Sequence, residues 1–169
     1  LRGARRGEND REPDADGAEV ESHWDSWAPR IARQLDADFH TVAWSGYGLV
    51  QNCCGGDATL PAVYRRALGS DPSDGNAWNF SSWTPQAVVI NLGTNDGAEV
   101  AATDAFVDTY VELAKNITGA YGVGTELFLA CGPMATYYCD AVGATIDALT
   151  AAGLRAHFLD QTNAAVDAC

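Results

Sequence analysis

The stretch Ala87-Val88-Val89-Ile90-Asn91-Leu92-Gly93-Thr94-Asn95-Asp96 constrains the fold more than any other part of the chain, because an apolar run stops abruptly in a Gly-Thr-Asn-Asp turn. β-Branched Val and Ile with no exposed alternate position predict a strand covered on both faces, as in a parallel sheet. Such sheets bind ligands beyond the carboxyl ends of their strands. Gly93 permits a sharp turn there, and Asn95 would set a carboxamide, with two donors and an acceptor, at that edge. Taken alone the pattern has a plainer reading, since Gly, Asn and Asp are the ordinary residues of tight turns.

The rest of the chain repeats the arrangement. Residues 1–21 are polar and lack a period, which predicts an exposed loop. Trp24, Trp27, Ala28, Ile31, Ala32 and Leu35 then recur at helical spacing, with Ser26 as the expected cap, Pro29 in the first turn and the Trp stripe in the core. Residues 39–44 read as a strand running into Ser45-Gly46-Tyr47-Gly48, and residues 61–68 as a short helix opened by Pro61. The connection over 70–84 holds Trp78, Phe80 and Trp83, which are expected to pin it over the core. A helix over 103–118 with Thr103 as cap, a strand over 126–131 ending in Gly132-Pro133-Met134, a helix over 139–152 and a strand over 154–159 complete the pattern. Strands alternating with helices predict one α/β domain over 1–169, a flavodoxin-like parallel sheet sandwiched between helices in three layers.

Length and charge narrow the function. A chain of 169 residues with 47% hydrophobic content is long enough for one sizeable core. A formal charge of −13 argues against nucleic acid or an anionic membrane surface as partner. No apolar run approaches the roughly 20 residues of a bilayer span. The five cysteines lack the paired spacing of a zinc site, so core or loop thiols are expected; Cys131 and Cys139 would pair if the loop between them folds back. Asn79-Phe80-Ser81 and Asn116-Ile117-Thr118 are N-glycosylation triplets, which with the cysteines make secretion an expectation.

Three strands thus end in turns with glycine, at Gly46, Gly93 and Gly132. A glycine at such an edge can offer its backbone N–H unobstructed, and an asparagine its amide N–H. Two donors converging on one oxygen are the minimum for holding a tetrahedral oxyanion in acyl transfer, each typically contributing roughly 3 kcal/mol.

The chain resembles the SGNH (GDSL-type) hydrolases, and most of all the carbohydrate esterases of family two. Ala43-Trp44-Ser45-Gly46-Tyr47-Gly48 is similar to the second block of that superfamily and Val89-Ile90-Asn91-Leu92-Gly93-Thr94-Asn95-Asp96 to the third. Trp78-x-Phe80-x-x-Trp83-x-Pro85 and Cys131-Gly132-Pro133-Met134 are similar as well, so the resemblance runs in order over about residues 24–168. It implies an oxyanion hole built from the Gly46 backbone and the Asn95 side chain, and a Ser/His mechanism without metal or organic cofactor. It also implies a Gly-Asp-Ser nucleophile block and a terminal His block. Leu1-Arg2-Gly3 resembles the residues after the nucleophile and Asp167-Ala168-Cys169 the approach to the histidine, so the expectation is that both blocks lie outside these 169 residues.

The remaining candidates read as structural. Ser22, Ser26 and Ser45 lie in the wrong context for a nucleophile, and His23, His40 and His157 are scattered over a helix entrance and two strands. Asp96 is expected to fix its turn by accepting backbone N–H bonds, and Asp160 is not expected to act as a triad acid. The leading expectation is therefore a fragment of a serine esterase that deacetylates carbohydrate or another small ester, inactive on its own. The alternatives are a catalytically dead carbohydrate-binding module and a flavodoxin-like nucleotide binder; the absence of a G-x-x-x-x-G-K loop counts against the latter.

Overall fold

A computed structural model describes residues 22–163. The loop expected over 1–21, and the motif resemblances at Leu1-Arg2-Gly3 and Asp167-Ala168-Cys169, lie outside the described residues. The described residues divide into two compact units, 22–45 and 46–163.

In the first unit the helical spacing yields α1, Trp27–Gln34. Ser26 occupies the cap position, but its Oγ donates to the His23 carbonyl at 2.7 Å and leaves the first-turn N–H groups alone. Pro29 and Ala32 are buried, whereas Trp24, Ile31 and Leu35 are exposed, so the expected Trp stripe is not a core face. Arg33 instead lies 4.0 Å over the Trp24 ring and donates to the Trp24 carbonyl, a cation–π contact on the surface. The strand expected over 39–44 does not form. A strand requires a ladder partner and a buried face, and Val42 and Trp44 are both exposed.

The second unit carries the sheet. Strands β1 (Ala87–Ile90), β2 (Glu126–Cys131) and β3 (Ala156–Asp160) are parallel in the order β1-β2-β3. This is the α/β class with a parallel sheet that the alternating pattern predicts. Register places Val88 opposite Leu127 and Ile90 opposite Leu129, with Ala156 and Phe158 on the other side of the same two leucines. β2 is the central strand and the best buried, with Leu127, Leu129, Ala130 and Cys131 inaccessible. The both-faces burial expected of β1 does not hold, because Ala87 and Val89 are exposed while Ile90 is buried.

The short helices α2 (Leu60–Val63) and α3 (Ala98–Ala101) precede the long α4 (Asp104–Tyr121), and α5 (Cys139–Ala151) follows β2. Phe106, Tyr110, Leu113, Ala114 and Ile117 recur at three- and four-residue steps along α4 and meet Leu127, Leu129, Val142 and Leu149 in one core. Each of the larger side chains contributes about 1.5–3 kcal/mol by leaving water. Asp104 lies in the first turn, where the helix dipole favours a negative charge, and Gly122 ends the helix. The helix expected over 61–68 stops at Val63 because the chain turns into a bridge between Arg66 and Ala77, while the Asn76 carboxamide takes both the N–H and the carbonyl of Leu68. Phe80 packs edge-on between Tyr64 and Tyr121, which pins the 70–84 connection as its aromatic content predicts.

Among the described residues two disulfides replace the expected free thiols. Cys131–Cys139 ties the end of β2 to the start of α5, the pairing that the folded-back loop allows. The other joins the adjacent residues Cys53 and Cys54.

Candidate active site

The carboxyl ends of the three strands are held in register by one asparagine. Asn91, directly after β1, donates from Nδ2 to the Gly132 carbonyl beyond β2 at 3.1 Å and to Gln161 Oε1 beyond β3 at 3.3 Å. Its Oδ1 accepts from the Tyr138 hydroxyl, which in turn accepts the Gly132 N–H. Tyr138 is buried, and a Cβ on Gly93 would lie 2.5 Å from its ring; Gly93 also has φ +132°, so position 93 excludes any side chain on two grounds. The exposed side of the same turn is held by Tyr137, whose hydroxyl donates to the Thr94 carbonyl at 2.5 Å and to the Gly93 carbonyl at 3.3 Å. Partial burial raises the Tyr137 pKa above its ordinary value, with Tyr138 and Asp96 adding to the rise.

Beyond Gly93, Asn95 and Asp96 reach to the loop that begins at Gly46. Asn95 Nδ2 donates to the Tyr47 carbonyl at 2.8 Å. Asp96 is fully buried and accepts from three successive amides, Leu49 to Oδ2 at 2.9 Å and Val50 and Gln51 to Oδ1 at 2.6 and 3.1 Å. Its own carbonyl accepts from Gln51 Nε2 at 2.6 Å. The carboxylate thus has the turn-fixing role expected of it, across 45 to 47 residues of sequence instead of locally. Asn52 closes the loop by accepting the Gly48 N–H and donating to the carbonyls of Gly55, Gly56 and Ala58.

The two residues expected to form an oxyanion hole, Gly46 and Asn95, are therefore brought to one turn. Gly46 has φ +79°, and its carbonyl accepts the Cys53 N–H at 3.0 Å. A primary amide carries two hydrogens; the Tyr47 carbonyl takes one from Asn95, and the other remains a donor in a half-buried position. Other polar candidates have partners of their own. Ser22 Oγ donates to Asp25 and Ser26 Oγ to the His23 carbonyl. His157 lies in β3, where its Nε2 meets Glu126 Oε2 and its ring stacks on Phe128. Arg155 pairs with the same glutamate. Asp160 accepts from the Thr162 hydroxyl and N–H, which hold its pKa below the usual carboxylate value. Among the described residues no three His, Cys, Asp or Glu side chains converge as a metal site, and no helix is long and apolar enough to cross a membrane.

No family model matches the chain. It is 38% identical over 115 residues, or 68% of its length, to the cellulase/esterase CelE of Acetivibrio thermocellus. It is 29% identical over 110 residues to an acetylxylan esterase / glucomannan deacetylase of Cellvibrio japonicus. A family two carbohydrate esterase from Clostridium thermocellum, solved in complex with cellohexaose, superposes on 84% of the chain with a TM-score of 0.73 and 30% identity. The chain is homologous to the family two carbohydrate esterases. It spans 14% and 30% of the length of the two curated esterases and 45% of the solved one.

Asn91, Tyr138 and Asn52 are the parts of this hydrogen-bonded edge that the sequence did not reveal. The signal for Asn91 was present, a polar residue at the end of an apolar run. Nothing in the sequence paired it with Gly132 and Gln161, which are 41 and 70 residues away.

Proposed function

We propose that the chain is the oxyanion-binding part of a serine esterase that removes acetyl groups from carbohydrate. The observation that carries this reading is the convergence of Asn95 with the Gly46 turn, made through the Tyr47 carbonyl and fixed by the buried Asp96. In this reading a serine hydroxyl attacks the acetyl carbonyl while a histidine takes its proton. The Gly46 N–H and the remaining Asn95 N–H hold the oxyanion, and the sugar hydroxyl leaves with the proton. Water then releases acetate from the acyl-enzyme by the same steps. The nucleophile and its base are proposed to come from sequence outside these 169 residues, in keeping with the fraction of its relatives that the chain spans. The cellohexaose complex of a relative supports a glycan as the substrate. Two disulfides support a secreted location, since such bonds persist in oxidising compartments.

Hydrolysis of an acetylated chromogenic ester and of acetylated xylan tests the proposal. A longer product of the same coding sequence, bearing the serine and histidine blocks, is expected to turn over both, and the 169-residue chain neither. Absence of turnover by the longer protein would overturn the esterase reading.

A further inference from the structure

The residue that offers an unobstructed backbone N–H at the candidate site is also the one least able to hold that N–H in place. Glycine loses more conformational freedom on ordering than any other residue, so a Gly46 donor needs restraint from outside itself. Three restraints act on the loop that follows it. Asn95 takes the Tyr47 carbonyl, Asp96 takes the amides of residues 49–51, and Asn52 takes the Gly48 N–H and the carbonyls further along. Gly46 itself is met from the other side, by Cys53. The Cys53 N–H donates to the Gly46 carbonyl at 3.0 Å, and Cys53 Sγ would lie 3.1 Å from a Cβ at position 46, so the sulfur packs against the glycine α-carbon.

Cys53 is disulfide-bonded to its own neighbour, Cys54. A bridge between adjacent residues closes a small ring through Cα, Cβ and Sγ of Cys53 and removes the side-chain rotation of Cys53, which fixes the sulfur that packs against Gly46. We propose that the Cys53–Cys54 disulfide is a positioning element for the Gly46 donor, and that its reduction by a thiol releases the turn and lowers turnover at this site. The inference rests on the esterase reading for its kinetic consequence but not for its structural one.

The exchange balances with an external dithiol. One thiolate attacks a sulfur of the bridge, forming a mixed disulfide and freeing the other cysteine as thiolate. The second thiol of the same reagent then closes on the mixed disulfide. Two electrons and two protons pass to the protein, which holds Cys53 and Cys54 as thiols, and the reagent leaves as a cyclic disulfide. Access favours this bridge over the other one. Cys53 and Cys54 are both exposed, whereas Cys131 is completely buried at the end of β2. Freed of the ring, the Cys53 side chain can rotate and withdraw its sulfur from the Gly46 α-carbon.

The test uses the longer protein with serine and histidine blocks, oxidised as purified and then treated with dithiothreitol until differential alkylation shows Cys53 and Cys54 reduced and Cys131 and Cys139 intact. Hydrolysis of the acetylated chromogenic ester is expected to lose about ten- to a hundredfold in kcat with KM little changed, and to recover on reoxidation. The C53S/C54S double variant is expected to show the same low kcat without sensitivity to the dithiol. Amide hydrogen exchange over residues 46–56 is expected to accelerate on reduction while β1, β2 and β3 stay protected. An unchanged kcat after verified reduction overturns the proposal, as does a rise in KM alone. If the oxidised protein has no activity, the esterase reading fails, and unchanged exchange over 46–56 then overturns the positioning role by itself.

Discussion

Asp96 shows how much of the candidate site depends on one side chain. Its buried carboxylate satisfies three successive amides of the loop after Gly46. Asp96→Ala leaves those N–H groups without an acceptor, at about 1–3 kcal/mol each where they stay dry, so urea unfolding is expected to show a loss of about 3 kcal/mol or more. A loss under about 0.5 kcal/mol would mean that water replaces the carboxylate freely. Asp160 makes a smaller and opposite point about residues that look catalytic. Its two bonds from Thr162 lower its pKa, so whatever stability it adds is present above the unfolded carboxylate value and disappears as pH falls through the lower folded one. NMR titration is expected to place Asp160 below the roughly 3.9 of a free aspartate, and Thr162→Ala to move it upward.

The elements divide into those that local pattern specifies and those that distant partners specify. β2 and α5 come out of the sequence almost residue for residue, because a short apolar run and a 3.6-residue period describe elements that are buried in the final fold. Leu129 is central to both sheet and core, and Leu129→Ala is expected to cost about 2–5 kcal/mol in thermal or denaturant unfolding. The failures have physical causes of the same kind. Residues 39–44 have strand-like composition but no ladder, and residues 61–68 have helical composition but lose Leu68 to the Asn76 carboxamide. β1 reads as buried on both faces because Val and Ile favour strands whether or not both faces are covered, and Val89 is 41% exposed. At the site, the Gly93 and Gly132 turns and Asn95 were legible as groups at strand ends, whereas the strand expected to lead into Gly46 does not form. The Asn91 and Tyr138 network was not, since its partners are set by the alignment of three strands. The Cys53–Cys54 bridge was equally hidden, because adjacent cysteines give no pairing signal of their own.

At the scale of the molecule, an acidic α/β chain homologous to family two carbohydrate esterases presents two proposed oxyanion donors at one sheet edge. The strand ends organise a turn through Asn91 and Asp96 that is proposed to carry the donors, and the covalent chemistry is proposed to come from elsewhere in a longer protein. Asn95 is the point at which the two meet, since one of its amide hydrogens holds the Tyr47 carbonyl and the other is proposed to hold the oxyanion. The most direct measurement is the kcat of Asn95→Ala in the longer, active protein, read on an acetylated ester beside the unsubstituted enzyme. A fall of about two to three orders of magnitude with KM little changed is the predicted result. A folded Asn95→Ala protein that turns over at the original rate would contradict the account and remove Asn95 from the site.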